Sequence, residues 1–188
     1  SSYIINRIAS CYEKIGSNQE ALTYFEKSVI IDPSNNNCWD NLIKFCIKNK
    51  NYKKAILHLE KAIKLNENNL NYWKKIAFVY KETKRFDLAE KAYKKAIDLG
   101  DKEYDTWIDL IDSLLILNNW NSATDVAVKA KKYFPLDHLI DYRIAGCLIK
   151  KGQKYKAKIY IENFLKNNGT LPSSIKYLFP EISITQKK

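Results

Sequence analysis

The sequence predicts an all-α chain in which one helix pair is repeated about five times. Three observations predict it. Ala21, Ala55, Ala89, Ala123 and Ala157 stand 34 residues apart. Trp39, Trp73 and Trp107 keep the same 34-residue period, while Gly16 and Gly152 differ by four periods and Pro33 and Pro135 by three. The 188 residues also hold only 5 Gly and 4 Pro, few for a loop-rich all-β protein. Several residue types sharing one register without slippage mark a repeat architecture. Starts near 2, 36, 70, 104 and 138 divide the chain into five units.

Each unit reads as first helix, turn, second helix, stop. In the third, Trp73, Ile76, Ala77 and Tyr80 recur at helical spacing and form the apolar face of a first helix. Phe86, Ala89, Tyr93, Ala96 and Ile97 do the same for a second. Lys84 and Arg85 lie between them, where the first and fifth units place Gly16 and Gly152, a position suited to a helix-terminating residue with positive φ. Pro33 and Pro135 fall just past second helices, which they cannot continue. The periodic alanines allow two antiparallel helices to approach closely. A large side chain at Ala89 would force the pair apart, at a cost of about 1–3 kcal/mol.

The ends should depart from the pattern. Ser28, Ala62, Ala96 and Ala130 hold a small position that becomes Phe164 in the fifth unit. Phe164 should therefore pack on a closing segment, with a short capping helix over 171–180 and a frayed tail over 181–188. The array then spans 1–169, and cap and tail span 170–188. The chain holds no Met, and Tyr3, Ile4 and Ile5 follow the start almost at once. The expectation is a piece of a larger chain or complex, with further repeats or another domain before residue 1.

Ile8, Ala9, Tyr12, Gly16, Ala21, Phe25 and Pro33 in the first unit show a pattern that later units repeat. Trp39, Leu42, Ala55 and Ala62 follow in the second, and Trp107, Leu110, Ala123 and Ala130 in the fourth. With these residues the sequence resembles the tetratricopeptide repeat family over roughly residues 2–168. The resemblance implies an α-solenoid, a right-handed superhelix whose first helices line a concave groove. It also implies a non-catalytic scaffold or adaptor that binds a peptide or protein there. Carried onto this chain, the family's groove registers select Asn6, Asn41, Lys44, Lys48, Lys74, Lys75, Phe78, Asp109, Asp112, Tyr142 and Arg143, and also include Arg7 and Ser10. Chaperone-binding relatives clamp a C-terminal carboxylate with Lys, Asn, Asn, Lys and a further basic residue. The matching registers here are Asn6, Ser10, Asn41, Asn71 and Lys75, so only Asn41 and Lys75 agree. Sugar-transferase relatives carry an asparagine ladder where this chain has Arg7, Asn41, Lys75, Asp109 and Arg143.

Nothing in the sequence reads as a catalytic site, a metal site or a cofactor site. His58 and His138 have no Cys or His at ligand spacing and read as ordinary, partly exposed residues. Cys11, Cys38, Cys46 and Cys147 read as small core residues. No glycine-rich phosphate loop or Gly-x-Ser-x-Gly elbow is present. Asp109 and Asp112 fit a ligand-facing stripe better than an acid–base pair. The longest aliphatic run, Leu114–Leu117, is far below the roughly 20 residues that cross a bilayer. Unpaired cysteines and the lack of a signal-peptide pattern point to the cytoplasm.

The net charge of +11 raises the alternative of an RNA-associated helical repeat. The charge is uneven. Residues 1–35 carry −1, 36–69 carry +4, 70–103 carry +3, 104–137 carry −2 and 138–188 carry +7. Nucleic-acid binding calls for a continuous basic track, and the acidic fourth unit interrupts this one. With 29 Lys against 3 Arg, part of the charge reads as codon bias. A protein or peptide partner is the reading the sequence favours.

Overall fold

The computed structural model describes residues 1–166 and 170. Ten helices occupy them: α1 (Ser2–Lys14), α2 (Asn18–Ile31), α3 (Asn36–Lys48), α4 (Tyr52–Leu65), α5 (Leu70–Glu82), α6 (Phe86–Asp98), α7 (Tyr104–Ile116), α8 (Trp120–Tyr133), α9 (His138–Lys150) and α10 (Lys154–Lys166). The five first helices begin at 2, 36, 70, 104 and 138, the repeat starts that the sequence period gives. No strand occurs among the described residues. The capping helix expected over 171–180 and the tail lie outside them. The chain divides into two compact units: Ser1–Asp101 holds α1–α6, and Lys102–Lys188 holds α7–α10.

The turn inside each repeat has one geometry. Gly16, Lys50, Lys84, Asn118 and Gly152, all one period apart, adopt positive φ. At each, the amide donates to the carbonyl three residues back and the next amide to the carbonyl five back. For the turn after α5, Lys84 N reaches Lys81 O at 2.9 Å and Arg85 N reaches Tyr80 O at 2.8 Å. This pair of bonds satisfies two carbonyls that the ending helix leaves open. Glycine takes this conformation freely, whereas a residue with Cβ gives up about 1–2 kcal/mol in it. Three of the five turns therefore form without the residue that suits them best.

The other helix ends are held by side chains with the same period. Asn35, Asn69 and Asp137 cap first helices by accepting from Asn37 N, Asn71 N and Leu139 N. Asn51 and Asn119 cap second helices from Lys54 N and Ser122 N. The tryptophan period has a cause as well. Trp39 Nε1 donates to the Pro33 carbonyl at 2.8 Å, and Trp73 Nε1 to the Glu67 carbonyl at 2.7 Å, each six residues back. The indole latches its helix to the preceding loop. Trp107 Nε1 is buried with no such partner among the described residues.

Helix pairs close on small residues. Ala21, Ala55, Ala89, Ala123 and Ala157 are fully buried, as are Ser28, Ala96 and Ala130. Leu42, Leu59, Val79 and Tyr72 fill the first unit, and Leu110, Ile111, Ile144 and Ile161 the second. Phe164, which breaks the small register, is buried against Tyr142 and His138 at 5.0 and 5.8 Å between ring centres.

Two expectations need correction. Cys11 is exposed, not a core residue, because no second helix among the described residues lies over the face of α1 that carries it. His58 is buried, not partly exposed. It sits beneath α2, with Nε2 3.2 Å from Glu26 Oε1, while Lys54 Nζ reaches the same oxygen at 2.9 Å. The Trp39 ring on α3 lies 6.4 Å away. A polar residue on a second helix became core because a carboxylate on the neighbouring second helix met it. Its Nδ1 is buried without a partner.

Replacing Lys84 by Gly removes the left-handed strain and is expected to raise unfolding stability by about 0.5–1 kcal/mol. Urea denaturation measures it, and a loss of stability would contradict the strain. For His58, burial first, helped by Lys61 and Lys54, holds the imidazole below its ordinary range against the pull of Glu26. The unfolded chain takes up this proton near pH 6.5, about the free histidine value. The His58 contribution is therefore fully present above that pH and is lost as pH falls toward the lowered folded value. The stability advantage of the wild-type chain over His58→Gln should shrink as pH drops below about 6.5. A difference independent of pH would contradict this.

Candidate functional site

In the Ser1–Asp101 unit, the outward faces of α1 and α3 enclose two adjoining polar clefts. The larger, about 330 Å³, is bordered by Asn6, Arg7, Ser10, Asp40, Asn41 and Lys44, with Tyr3 at its rim. The smaller, about 190 Å³, is bordered by Ser10, Glu13, Asn41, Lys44 and Lys48, with Phe25 and Phe45 beneath. Lys44, Ser10 and Asn41 line both. Helical spacing places Asn6, Ser10 and Glu13 along one face of α1, and Asn41, Lys44 and Lys48 along one face of α3.

Most polar groups of this face are already spoken for. Asn6 is 7% exposed, and its amide donates to Ser28 Oγ at 3.2 Å. Its carbonyl accepts from Asn41 Nδ2 at 2.6 Å, so Asn6 is a brace between α1, α2 and α3 rather than an open ligand group. Lys48 pairs with Glu13 at 2.8 Å. Lys75 on α5 pairs with Asp40 on α3 and lies 6.0 Å over the Tyr72 ring. Lys74 lies 3.6 Å from the buried Asp101 carboxylate. Phe78 is half-buried with the Lys81 ammonium 5.5 Å over its ring. Lys74, Lys75 and Phe78 line neither cleft. Arg7 and Lys44 differ from these cations: both are exposed, and neither has an ion pair among the described residues. The registers name Arg7 and Lys44 together with the rest. Which cations remain unpaired depends on neighbours about one repeat away.

In the second unit the four selected residues also serve the framework. Arg143 on α9 grips Asp112 on α7 through two bonds, Nε–Oδ1 at 2.8 Å and Nη2–Oδ2 at 3.1 Å. That pairing is the first cause of the rise in the Arg143 pKa. The Tyr142 ring lies against Phe164 of α10, tilted by 39°. Asp109 is half-buried, and its backbone carbonyl accepts from Ser113 Oγ at 2.7 Å. The pair of half-buried Lys131 with buried Asp141, at 2.7 Å, ties α8 to α9.

Two of the buried thiols are held away from the nucleophilic thiolate form. Burial first, then Glu26, pushes Cys46 up to about 11, and burial raises Cys147 as well, so both stay protonated at neutral pH. No three His, Cys, Asp or Glu side chains gather as a metal site among the described residues. No helix there is long and apolar enough to cross a membrane.

Comparison with known proteins agrees with this framework. A family model for the tetratricopeptide repeat matches residues 3–35, 41–69 and 70–99. No curated protein matches the sequence. Among solved structures, a MamA protein is similar with a TM-score of 0.74 at 18% identity, covering 95% of this chain and 94% of that one. Another MamA structure gives 0.74 at 15% identity, covering 94% and 96%. YrrB, described as a TPR protein with an unusual peptide-binding site, gives 0.71 at 15% identity, covering 88% and 86%. At such identities the likeness is one of fold. The period, the ten helices, the repeated turn and the matched residues together place this chain in the tetratricopeptide repeat family.

Proposed function

We propose that this chain is a non-catalytic interaction module that binds an acidic, extended peptide segment of a protein partner across α1 and α3. Tetratricopeptide repeat proteins mediate protein–protein interaction, typically as non-catalytic scaffolds. The observation that carries the finer reading is the pair of unpaired cations beside the clefts. Arg7 and Lys44 border the same 330 Å³ cleft, while Lys48 and Lys75 are neutralised within the fold. An incoming carboxylate would meet two cations without an ion pair among the described residues, while Asp40 of the same cleft is held by Lys75. Asn41 and Ser10 add hydrogen-bonding groups, and Tyr3 adds an exposed ring at the rim. Charge then sets orientation and arrival, and the ring supplies apolar contact. The same reading places the chain in a reducing, cytoplasmic setting, supported by the unpaired, buried Cys38, Cys46 and Cys147.

The test uses the full chain and a short fluorescent peptide of alternating glutamate and leucine, with a polyuridine oligonucleotide as comparison. Lys44→Glu should weaken peptide binding about tenfold, equivalent to about 1.4 kcal/mol, with an unchanged thermal midpoint because Lys44 holds no internal partner. Equal affinity in wild type and variant would refute the site. Tighter binding of the oligonucleotide than of the peptide would favour the nucleic-acid reading instead.

A further inference from the structure

The outer face of α1 carries a surface that the rest of the array keeps covered. Tyr3, Ile4, Ile8, Cys11 and Ile15 border an apolar depression of about 420 Å³. Tyr3 is 65% exposed, Ile4 58% and Ile15 73%. Tyr3 and Ile15 stand at registers that are exposed or half-buried in the other repeats, but Ile4, Ile8 and Cys11 do not. Ile4, Ile8 and Cys11 correspond, one period on, to Cys38, Leu42 and Phe45 of α3. Two periods on they correspond to Tyr72, Ile76 and Val79 of α5, and four periods on to Ile140, Ile144 and Cys147 of α9. All nine are buried. In each case the cover is the second helix of the preceding repeat. Phe25 of α2 lies against Phe45 at 5.3 Å, Glu60 of α4 accepts from the Tyr80 hydroxyl, and Lys131 of α8 pairs with Asp141.

Charge gives the same answer independently. Arg7 stands at the register of Lys75 and Arg143. Lys75 pairs with Asp40 and Arg143 with Asp112, in both cases an acid on the preceding first helix. Arg7 borders the apolar depression and has no ion pair among the described residues. It is the one member of the three that lacks an acid from a preceding helix pair.

We infer that the α1 face is a docking surface for a helical hairpin from outside these 188 residues. The hairpin presents an apolar second helix to Ile4, Ile8 and Cys11 and a carboxylate on its first helix to Arg7. This occupant covers the apolar area and satisfies the cation at once, as each internal neighbour does. A second copy is the weaker match, because the one acid on α1, Glu13, is already paired with Lys48. The inference shares Arg7 and Tyr3 with the peptide site proposed on α1 and α3, so a docked hairpin leaves that site Lys44, Asn41 and Ser10. Cys11, which borders only the apolar depression, reports the hairpin separately.

The experiment extends the full chain at its N-terminus with a copy of residues 36–69, joined directly to Ser2. Asp40 of the copy then precedes Arg7 by the same 35 residues that separate Asp40 from Lys75. Cys11 is the exposed thiol among four, so its modification by a thiol reagent reports cover on this face. The expected result is an added hairpin's worth of helicity and Cys11 labelling slowed at least about tenfold, as burial at the Phe45 register requires. Asp40→Asn in the copy, and Arg7→Ala in the body, should each remove part of the thermal gain. Together they should remove no more than either does alone. Labelling at the rate of the unextended chain, or a copy that stays unfolded, would overturn the inference. A concentration-dependent dimer of the unextended chain that protects Cys11 would overturn the hairpin assignment in favour of a second copy.

Discussion

In each repeat, two antiparallel helices can close on one another because an alanine sits where they meet. Ala21, Ala55, Ala89, Ala123 and Ala157 have no exposed surface. The approach they permit demands a turn that reverses the chain within a few residues, which the left-handed position at Gly16, Lys50, Lys84, Asn118 and Gly152 provides. Everything further depends on this unit. The caps at Asn35 and Asn69 and the indole latches at Trp39 and Trp73 fix each hairpin relative to the loop before it. Stability in such an array is a sum of units and the faces between them. A face left open among the described residues, as on α1, therefore lacks one of those terms.

The same stacking decides which charges are available for function. Bringing first helices side by side sets acids and bases about one period apart in reach of each other, and many of them pair. Glu13 with Lys48 and Asp40 with Lys75 are internal to the first unit, as is Asp112 with Arg143 to the second. An exposed pair such as Glu13–Lys48 contributes at most about 1 kcal/mol, whereas the other two are partly buried. Their larger effect is to withdraw charge from any ligand. A net charge of +11 thus overstates what a partner meets on the α1–α3 face. There the open positive charge reduces to Arg7 and Lys44, beside Asn41 and Ser10.

The architecture was legible because it is written in repeated residues. Alanine, tryptophan, glycine and proline kept one period, and helix starts at 2, 36, 70, 104 and 138 follow it. The turn was half visible. Glycine marked two of the five, while Lys50, Lys84 and Asn118 occupy the same conformation because the two helices they join overrule local preference. The site was less legible. A register says which face a side chain leaves from, but not what lies one repeat away. Asn6 fell in a groove register and is buried because Ser28 and Asn41 bind it. His58 fell on a second helix and is buried because Glu26 receives it. Cys11 shares its register with the buried Cys147 and is exposed because no second helix among the described residues lies over that face of α1. For Asn6 and His58 a residue distant in sequence set the outcome, and for Cys11 the lack of one among the described residues did.

The central claim is that the charges left over by the repeat framework form the binding surface. Backbone NMR of the full chain during titration with an acidic peptide tests it most directly. The account predicts saturable shifts at Arg7, Ser10, Asn41 and Lys44, with the amides of the already paired Lys75 and Arg143 little affected. Shifts centred on the outward faces of α4 and α6, or on the second unit, would contradict it.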